Sequence, residues 1–97
     1  MTASSHVSPN HKSHEQLHRE LSDARKQVCV GGTYSHYKYP ENAYLVTGLG
    51  FIEASDEVCV IYQATYDTEL VFVRPLRNWL EKLDFHGEKV LRFAQVK

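Results

Sequence analysis

The sequence predicts a mainly β protein: a small, strongly bent sheet or partly open barrel with one short helical turn and an added N-terminal α-helix. Three observations predict it. Apolar residues recur at helical spacing before Gly31-Gly32 and alternate after it. Turn residues then divide the last 67 or so positions into five or six short strands. Two glycines within one predicted strand, Gly48 and Gly50, indicate a bulge or sharp bend of the kind that small barrels need.

Length and composition limit the size and class of the protein. Ninety-seven residues with 42% hydrophobic and 24% charged side chains support one domain of ordinary globular composition. There is no run of about 18 apolar residues, so we expect a soluble, cytoplasmic protein that does not contact the membrane. Residues 31–97 carry seven basic and nine acidic side chains. This balance disfavours nucleic-acid binding without excluding it, because proteins that follow phosphates usually have a basic excess.

The N-terminal third divides into a tail and a helix. Residues 1–12 have no apolar periodicity and predict a disordered tail. Ser13 then fits the N-cap position, with Gln16 three residues later. Residues 13–30 therefore predict a helix of about 14 residues and a linker, with a narrow apolar stripe made of Leu17, Leu21, Ala24 and Val28. Such a helix is marginal alone, so we expect it to dock on the domain or on a partner, or to self-associate.

Residues 31–97 predict the β domain. Alternation and turn residues predict four strands, at Thr33–Tyr37, Ala43–Ala54, Val58–Tyr66 and Leu70–Arg74. Pro75 fits the first position of a short helix over Leu76–Leu83. A final hairpin follows, in which His86-Gly87 is the turn between Asp84-Phe85 and Val90–Val96.

The candidate binding residues are mostly tyrosines and cations, which suit a pocket that binds an anion. A planar guanidinium binds carboxylate or phosphate through two parallel hydrogen bonds, and tyrosines provide an apolar body with a polar tip. We therefore expect a small anionic ligand or a peptide segment to bind at His36, Lys38, Tyr44, Tyr62, Tyr66 and Arg74. The alternative is plain packing, with Tyr62 and Tyr66 on the rim of the barrel and Arg74 paired with Asp67, Glu69 or a backbone carbonyl.

Other functions have weaker support. A nucleic-acid barrel would use its tyrosines to stack bases. A small enzyme would use His36 as general base, but no serine or cysteine is placed beside it by the sequence. We expect no cofactor and no physiological metal site, although His11, His14 and His18 are spaced for weak metal binding. Cys29 and Cys59 predict reduced thiols, with Cys59 buried and inert.

An ordered series of short motifs resembles the DUF1653 family over roughly residues 31–95. The series runs Tyr34-x-His36-Tyr37-Lys38, Tyr44-x-Val46, Tyr62-x-x-x-Tyr66, Val73-Arg74-Pro75-Leu76 and Arg92-Phe93. The resemblance implies a small SH3-like β-barrel in a short prokaryotic protein, and it implies no activity because the function of that family is unknown. Two positions depart from the family pattern. Ile52-Glu53-Ala54 stands where a His-Ser/Thr-Glu segment is usual, and Phe72 stands where tryptophan is common.

Overall fold

The computed structural model describes residues 11–96, and their elements confirm the prediction of a mainly β protein with an N-terminal helix. In chain order the elements are α1 (His14–Gln27), β1 (Thr33–His36), β2 (Ala43–Ile52), β3 (Glu57–Ala64), β4 (Val71–Pro75), α2 (Leu76–Trp79), β5 (Lys82–Phe85), β6 (Glu88–Leu91) and β7 (Phe93–Val96). The disordered tail predicted for residues 1–12 lies outside the described residues up to residue 10. His11 and Lys12, which were included in that tail, contact Asp56.

Five strands form one antiparallel sheet in the order β4-β3-β2-β1-β7, and β5 and β6 form a separate two-stranded sheet. The pairing of β2 with β3 shifts register between Val46 and Gly48, which is the irregularity predicted from the glycines. Among the described residues, β4 and β7 are the edges of the large sheet and do not pair with each other. Closure into an SH3-like barrel therefore stays a prediction.

The N-terminal helix α1 begins and packs as its sequence predicts. The Ser13 hydroxyl accepts a hydrogen bond from the Gln16 backbone N–H at 3.1 Å, which confirms the N-cap. The helix packs on β2 and β3, with Ala24 fully buried and Val28 1% exposed. Of the helices in residues 11–96, none is both long and apolar enough to span a bilayer.

A buried carboxylate holds the chain just before α1. The Asp56 Oδ2 atom accepts a hydrogen bond from the Lys12 backbone N–H and contacts His11 Nδ1, each at 2.9 Å. The Asp56 residue is fully buried and has a positive φ of 58°, a conformation that aspartate tolerates better than most residues. The turn between β2 and β3 is thereby tied to the start of the helix.

The core lies on one face of the large sheet and is rich in aromatic rings. Its members come from the end of α1, the sheet and α2, and they are Val28, Tyr34, Val46, Val60, Tyr62, Trp79 and Phe93. The rings of Trp79 and Phe93 stack with centroids 3.9 Å apart. The short helix α2 thus contributes its one buried residue to the centre of the core.

The C-terminal third differs from the prediction in three respects. Pro75 is the last residue of β4 and the N-cap of α2, rather than the first helical residue. The helix ends at Trp79 instead of Leu83, because the chain from Lys82 onward pairs with β6. The expected single final hairpin is divided: β5 and β6 form the hairpin, and β7 joins the main sheet beside β1. The predicted turn at His86-Gly87 is confirmed, with φ values of 52° and 81° that fit a two-residue type I′ turn.

Candidate functional site

A cavity of about 230 Å³ opens on the core face of the large sheet, and it brings together four of the six predicted binding residues. Side chains from all five strands of that sheet and from the turn after β1 line it: His36, Tyr39, Tyr44, Tyr62, Phe72, Arg74 and Phe93. Strand pairing explains the convergence. Tyr62 lies opposite Phe72 and His36 lies opposite Phe93, and directly paired residues of antiparallel strands share one face of the sheet.

Aromatic rings form most of the cavity wall. Tyr44 makes edge-to-face contacts with Tyr62, Phe72 and Phe93, with centroid distances of 5.6, 6.3 and 6.1 Å. The Tyr62 and Phe72 rings lie 5.5 Å apart. Such edge-to-face contacts stabilise the arrangement of the rings, and they make the wall mainly apolar.

The Arg74 guanidinium provides a fixed positive charge in this wall. Its Nε–H donates to the Tyr62 hydroxyl at 3.2 Å, Nη1 donates to the Asn78 side-chain oxygen, and the group lies 5.3 Å from the centre of the Phe93 ring. All three partners are uncharged. In the part of the chain that the structure describes, no carboxylate forms an ion pair with Arg74, so the alternative pairing with Asp67 or Glu69 is not observed.

His36 lies in a positively charged environment. Burial lowers the pKa of its imidazole, and the charges of Arg74, Arg92 and Lys38 lower that pKa further. The Nδ1 atom accepts a hydrogen bond from the Lys38 backbone N–H at 3.1 Å, which leaves the proton of the neutral ring on Nε2. The ring is therefore neutral near pH 7, in a region where three cations favour an anion.

The remaining two predicted residues lie at the edge of the cavity. The predicted third strand included Tyr66, but β3 ends at Ala64, so Tyr66 lies beyond the strand, and it is 58% exposed. The Tyr66 hydroxyl lies 3.5 Å from the Tyr44 hydroxyl. This hydrogen bond is the main cause, and burial the second, of the rise in the pKa of Tyr44 to about 12. Lys38 is exposed in the turn after β1 and acts on the site only through its charge and its backbone.

Three residues of the cavity were absent from the sequence-based set: Tyr39, Phe72 and Phe93. In a hairpin, residues at equal distances from the turn lie opposite each other. The predicted turn between β3 and β4 therefore places Phe72 opposite Tyr62, so Phe72 was predictable in principle. Phe93 depends on the pairing of the chain end with β1, which no local pattern specifies. Tyr39 lies in the turn after β1. Its ring stacks near that of His36, with 6.1 Å between the centroids, and in this position it lines the cavity.

The lining residues are tyrosines and phenylalanines with one histidine and one arginine. Within the described chain, the cavity wall contains no serine, threonine or cysteine beside His36. Cys29 and Cys59 are both free thiols, and burial raises the pKa of Cys59, which makes its thiolate less accessible. Over residues 11–96, no three His, Cys, Asp or Glu side chains are grouped to hold a metal ion.

Comparison with known proteins identifies the family. A family model described as a protein of unknown function, DUF1653, matches residues 32–95. Among solved structures, the chain is similar to the crystal structure of a protein belonging to DUF1653 from Bordetella bronchiseptica, with 36% sequence identity and a TM-score of 0.61. That alignment covers 72% of this chain and 90% of the other. Comparison with curated proteins finds no match. The family match covers the whole cavity wall and confirms the resemblance seen in the sequence: the chain belongs to the DUF1653 family.

Proposed function

We propose that the protein is a binding module without catalytic activity, and that its aromatic cavity holds a small anionic ligand or the anionic group of a peptide segment. The observation that carries this proposal is the state of Arg74. Its guanidinium lies in the wall of an apolar cavity with only neutral partners among the described residues. A charge in such a place attracts an anion more strongly than the same charge in open solvent.

The positive potential of the wall does not depend on Arg74 alone. The charges of Lys38 and Arg92 act on His36 together with that of Arg74. A carboxylate or phosphate near the imidazole would therefore interact with several cations, and it would also favour protonation of His36. The Nε2–H of the neutral imidazole is a further donor for such an anion.

The size of the cavity limits the ligand. Pockets for drug-sized ligands usually measure about 300–1,000 Å³, and this one measures about 230 Å³. A single ring or a short aliphatic group that ends in one anion fits this space. The aromatic wall would bind the apolar part, and Arg74 would bind the charged end.

A titration with paired small molecules tests the proposal. Benzoate and phenyl phosphate provide a ring with an anion, and benzamide provides a ring of similar shape without the charge. Amide NMR shifts should cluster on the cavity residues with the two anions and be much weaker with benzamide. Equal binding of benzamide and benzoate, or shifts elsewhere, would contradict the proposal.

Two arginines that lie close together provide a matched pair of variants. Arg74→Gln should weaken benzoate binding by about tenfold or more, because charge-assisted hydrogen bonds contribute about 1.5–3 kcal/mol. Arg77→Gln is the control: Arg77 is on α2, its side chain is 77% exposed, and it pairs with Glu57 rather than facing the cavity. Loss of binding in both variants would show that net charge, and not the cavity, governs the interaction.

The nucleic-acid alternative gives a different result in the same experiment. When single-stranded RNA is added instead, the amide NMR signals of the exposed residues Tyr39 and Lys38 should shift, and the affinity should fall steeply between about 50 and 200 mM salt.

The SH3-like architecture and a cytoplasmic location in a prokaryote also stay proposals. The free thiols of Cys29 and Cys59 support the location, because disulfides are rare in the cytoplasm.

A further inference from the structure

The strand β4 lies at an edge of the large sheet, next to the cavity, and its apolar side chains are exposed. Leu70, which precedes β4, and the first three residues of the strand, Val71, Phe72 and Val73, are 40%, 54%, 38% and 59% exposed. Among the described residues, β4 pairs only with β3. Natural proteins usually protect such an edge with charges, bulges or a covering segment, because its free backbone groups pair readily with another chain.

The hydrogen bonds around β3 show which backbone groups of β4 are available. The Ala64 N–H donates to the Leu70 carbonyl at 3.0 Å, and the Thr65 N–H donates to the Ala43 carbonyl at 3.0 Å. Since ladder bonds alternate along antiparallel strands, even-numbered residues of β4 bond inward to β3. The N–H and C=O groups of Val71 and Val73 therefore point outward, where a further strand would bind them.

The same alternation connects this edge to the cavity. Phe72 and Arg74 both line the cavity, and the valines between and before them project from the opposite face of the sheet. A strand added to β4 would place the side chains opposite Phe72 and Arg74 on the cavity face, about 5 Å away. The edge and the cavity thus form one continuous surface.

We propose that β4 binds an extended peptide segment of another protein, by strand addition, with an acidic residue or C-terminal carboxylate facing Arg74. This proposal rests on the function proposed above and names its ligand. Charge complementarity selects the occupant, because Arg74 has no carboxylate partner among the described residues. The exposed valines favour β-branched residues at the alternate positions of the peptide.

A second copy of the chain fits this surface less well. Two β4 strands related by a twofold axis pair antiparallel with the same faces up, so paired residues are both even-numbered or both odd-numbered. Arg74 would then face Leu70, Phe72 or another Arg74. The nearby acidic residues Asp67 and Glu69 lie in the turn before β4, and β4 itself contains no acidic residue, so self-pairing supplies no carboxylate to Arg74 from this strand.

Two protein variants separate strand addition from binding in the cavity alone. Val73→Pro removes an outward N–H without removing a bond to β3, and edge strands tolerate proline at such positions. Val73→Thr is the control that keeps the N–H. The probes are benzoate and capped heptapeptides that carry Phe and Glu two residues apart, in both orders, among Val and Ser residues. The fluorescence of Trp79, the one tryptophan, reports binding because its ring stacks on Phe93 of the cavity.

We expect Val73→Pro to weaken peptide binding by about tenfold or more, to leave benzoate binding unchanged, and to differ clearly from Val73→Thr. On the wild-type protein, replacing the Glu of the peptide by Gln, or N-methylating the backbone nitrogens that face β4, should weaken binding similarly. The N-methylated peptide keeps the test valid if Val73→Pro does not fold.

Each contrary outcome is distinct. Benzoate binding with no peptide binding, or with equal affinity for the N-methylated peptide, would overturn strand addition and leave the proposed function intact. Absence of both would overturn the proposed function itself. A wild-type dimer that Val73→Pro makes monomeric would assign the edge to a second copy. Faster amide exchange at Val71 after deletion of residues 1–10 would assign it to the chain's own N-terminus.

Discussion

Replacing Asp56 by asparagine tests whether a single buried carboxylate fixes the N-terminal helix to the sheet. The Asp56 side chain is 1% exposed and holds both His11 and the Lys12 backbone N–H. Asparagine has the same shape and also tolerates the positive φ of 58°. The substitution therefore removes the charge without adding backbone strain, which alanine at this position would add.

The expected size of the effect is worked from the contacts of the Asp56 carboxylate with His11 and Lys12. Hydrogen bonds to a charged group contribute about 1.5–3 kcal/mol and neutral ones about 0.5–1.5 kcal/mol. Asparagine replaces charge-assisted hydrogen bonds to the Lys12 N–H and to His11 by neutral ones, while its own burial costs less. We expect the free energy of unfolding to fall by about 2 kcal/mol, which corresponds to a fall in Tm of about 8–16 °C for a domain of this size.

Urea unfolding followed by the fluorescence of buried Trp79 measures this change. Glu20→Gln is the matched control, because the Glu20 carboxylate pairs with Lys12 at 2.9 Å but is 26% exposed. Partly exposed pairs contribute at most about 1 kcal/mol, so this variant should stay close to wild type. If Asp56→Asn were no less stable than Glu20→Gln, the buried carboxylate would not be what holds α1 in place.

Three further predictions concern stability. Gly32→Ala should cost about 1–3 kcal/mol, because its Cβ would lie 3.0 Å from the Cys29 carbonyl, whereas Gly48→Ala meets nothing within 4 Å and should change stability by less than about 0.5 kcal/mol in urea unfolding. The pKa of Tyr44 is raised from 10.0 to about 12, so its neutral phenol stabilises the fold below pH 10.0 and this contribution is lost as pH rises towards 12. Tyr44→Phe should therefore lose less stability than wild type at alkaline pH, and an unchanged dependence of the free energy of unfolding on pH would contradict this. The lowered pKa of His36 contributes stability above about pH 6.5 that is lost as pH falls; His36→Gln should therefore lose less stability than wild type on acidification, and an equal loss would refute this.

The parts of the fold that local chemistry determines were predictable from the sequence. The Ser13 cap and the apolar stripe ending at Val28 define α1, and both are as expected. The glycine pair in β2 predicted the register shift after Val46, and His86-Gly87 predicted the turn of the last hairpin. In each case the signal and its structural effect lie within a few residues of each other.

Features that depend on distant parts of the chain were not predictable in the same way. The helical spacing of Leu76 and Leu83 gave a longer α2, but pairing of Lys82 with β6 ends the helix early. Phe93 enters the cavity only because β7 pairs with β1, more than 50 residues away in sequence. The sequence therefore grouped four residues that do line one cavity but missed Phe93, which the returning chain end supplies, and the binding role of the set stays a prediction.

The position of Tyr62 determines which residues can test function cleanly. Tyr62 is 5% exposed, and its ring centroid lies 4.9 Å from that of Trp79 in the core. The same side chain forms part of the cavity wall, and its hydroxyl accepts the hydrogen bond from Arg74. Because the cavity wall is also part of the core, a change at Tyr62 alters stability and binding together, and its effects cannot be separated. Arg74 and Val73 are at the outer edge of the same sheet, where one supplies the charge and the other the free backbone N–H. Substitutions at these two positions are therefore expected to change the proposed binding while every side chain of the core is kept.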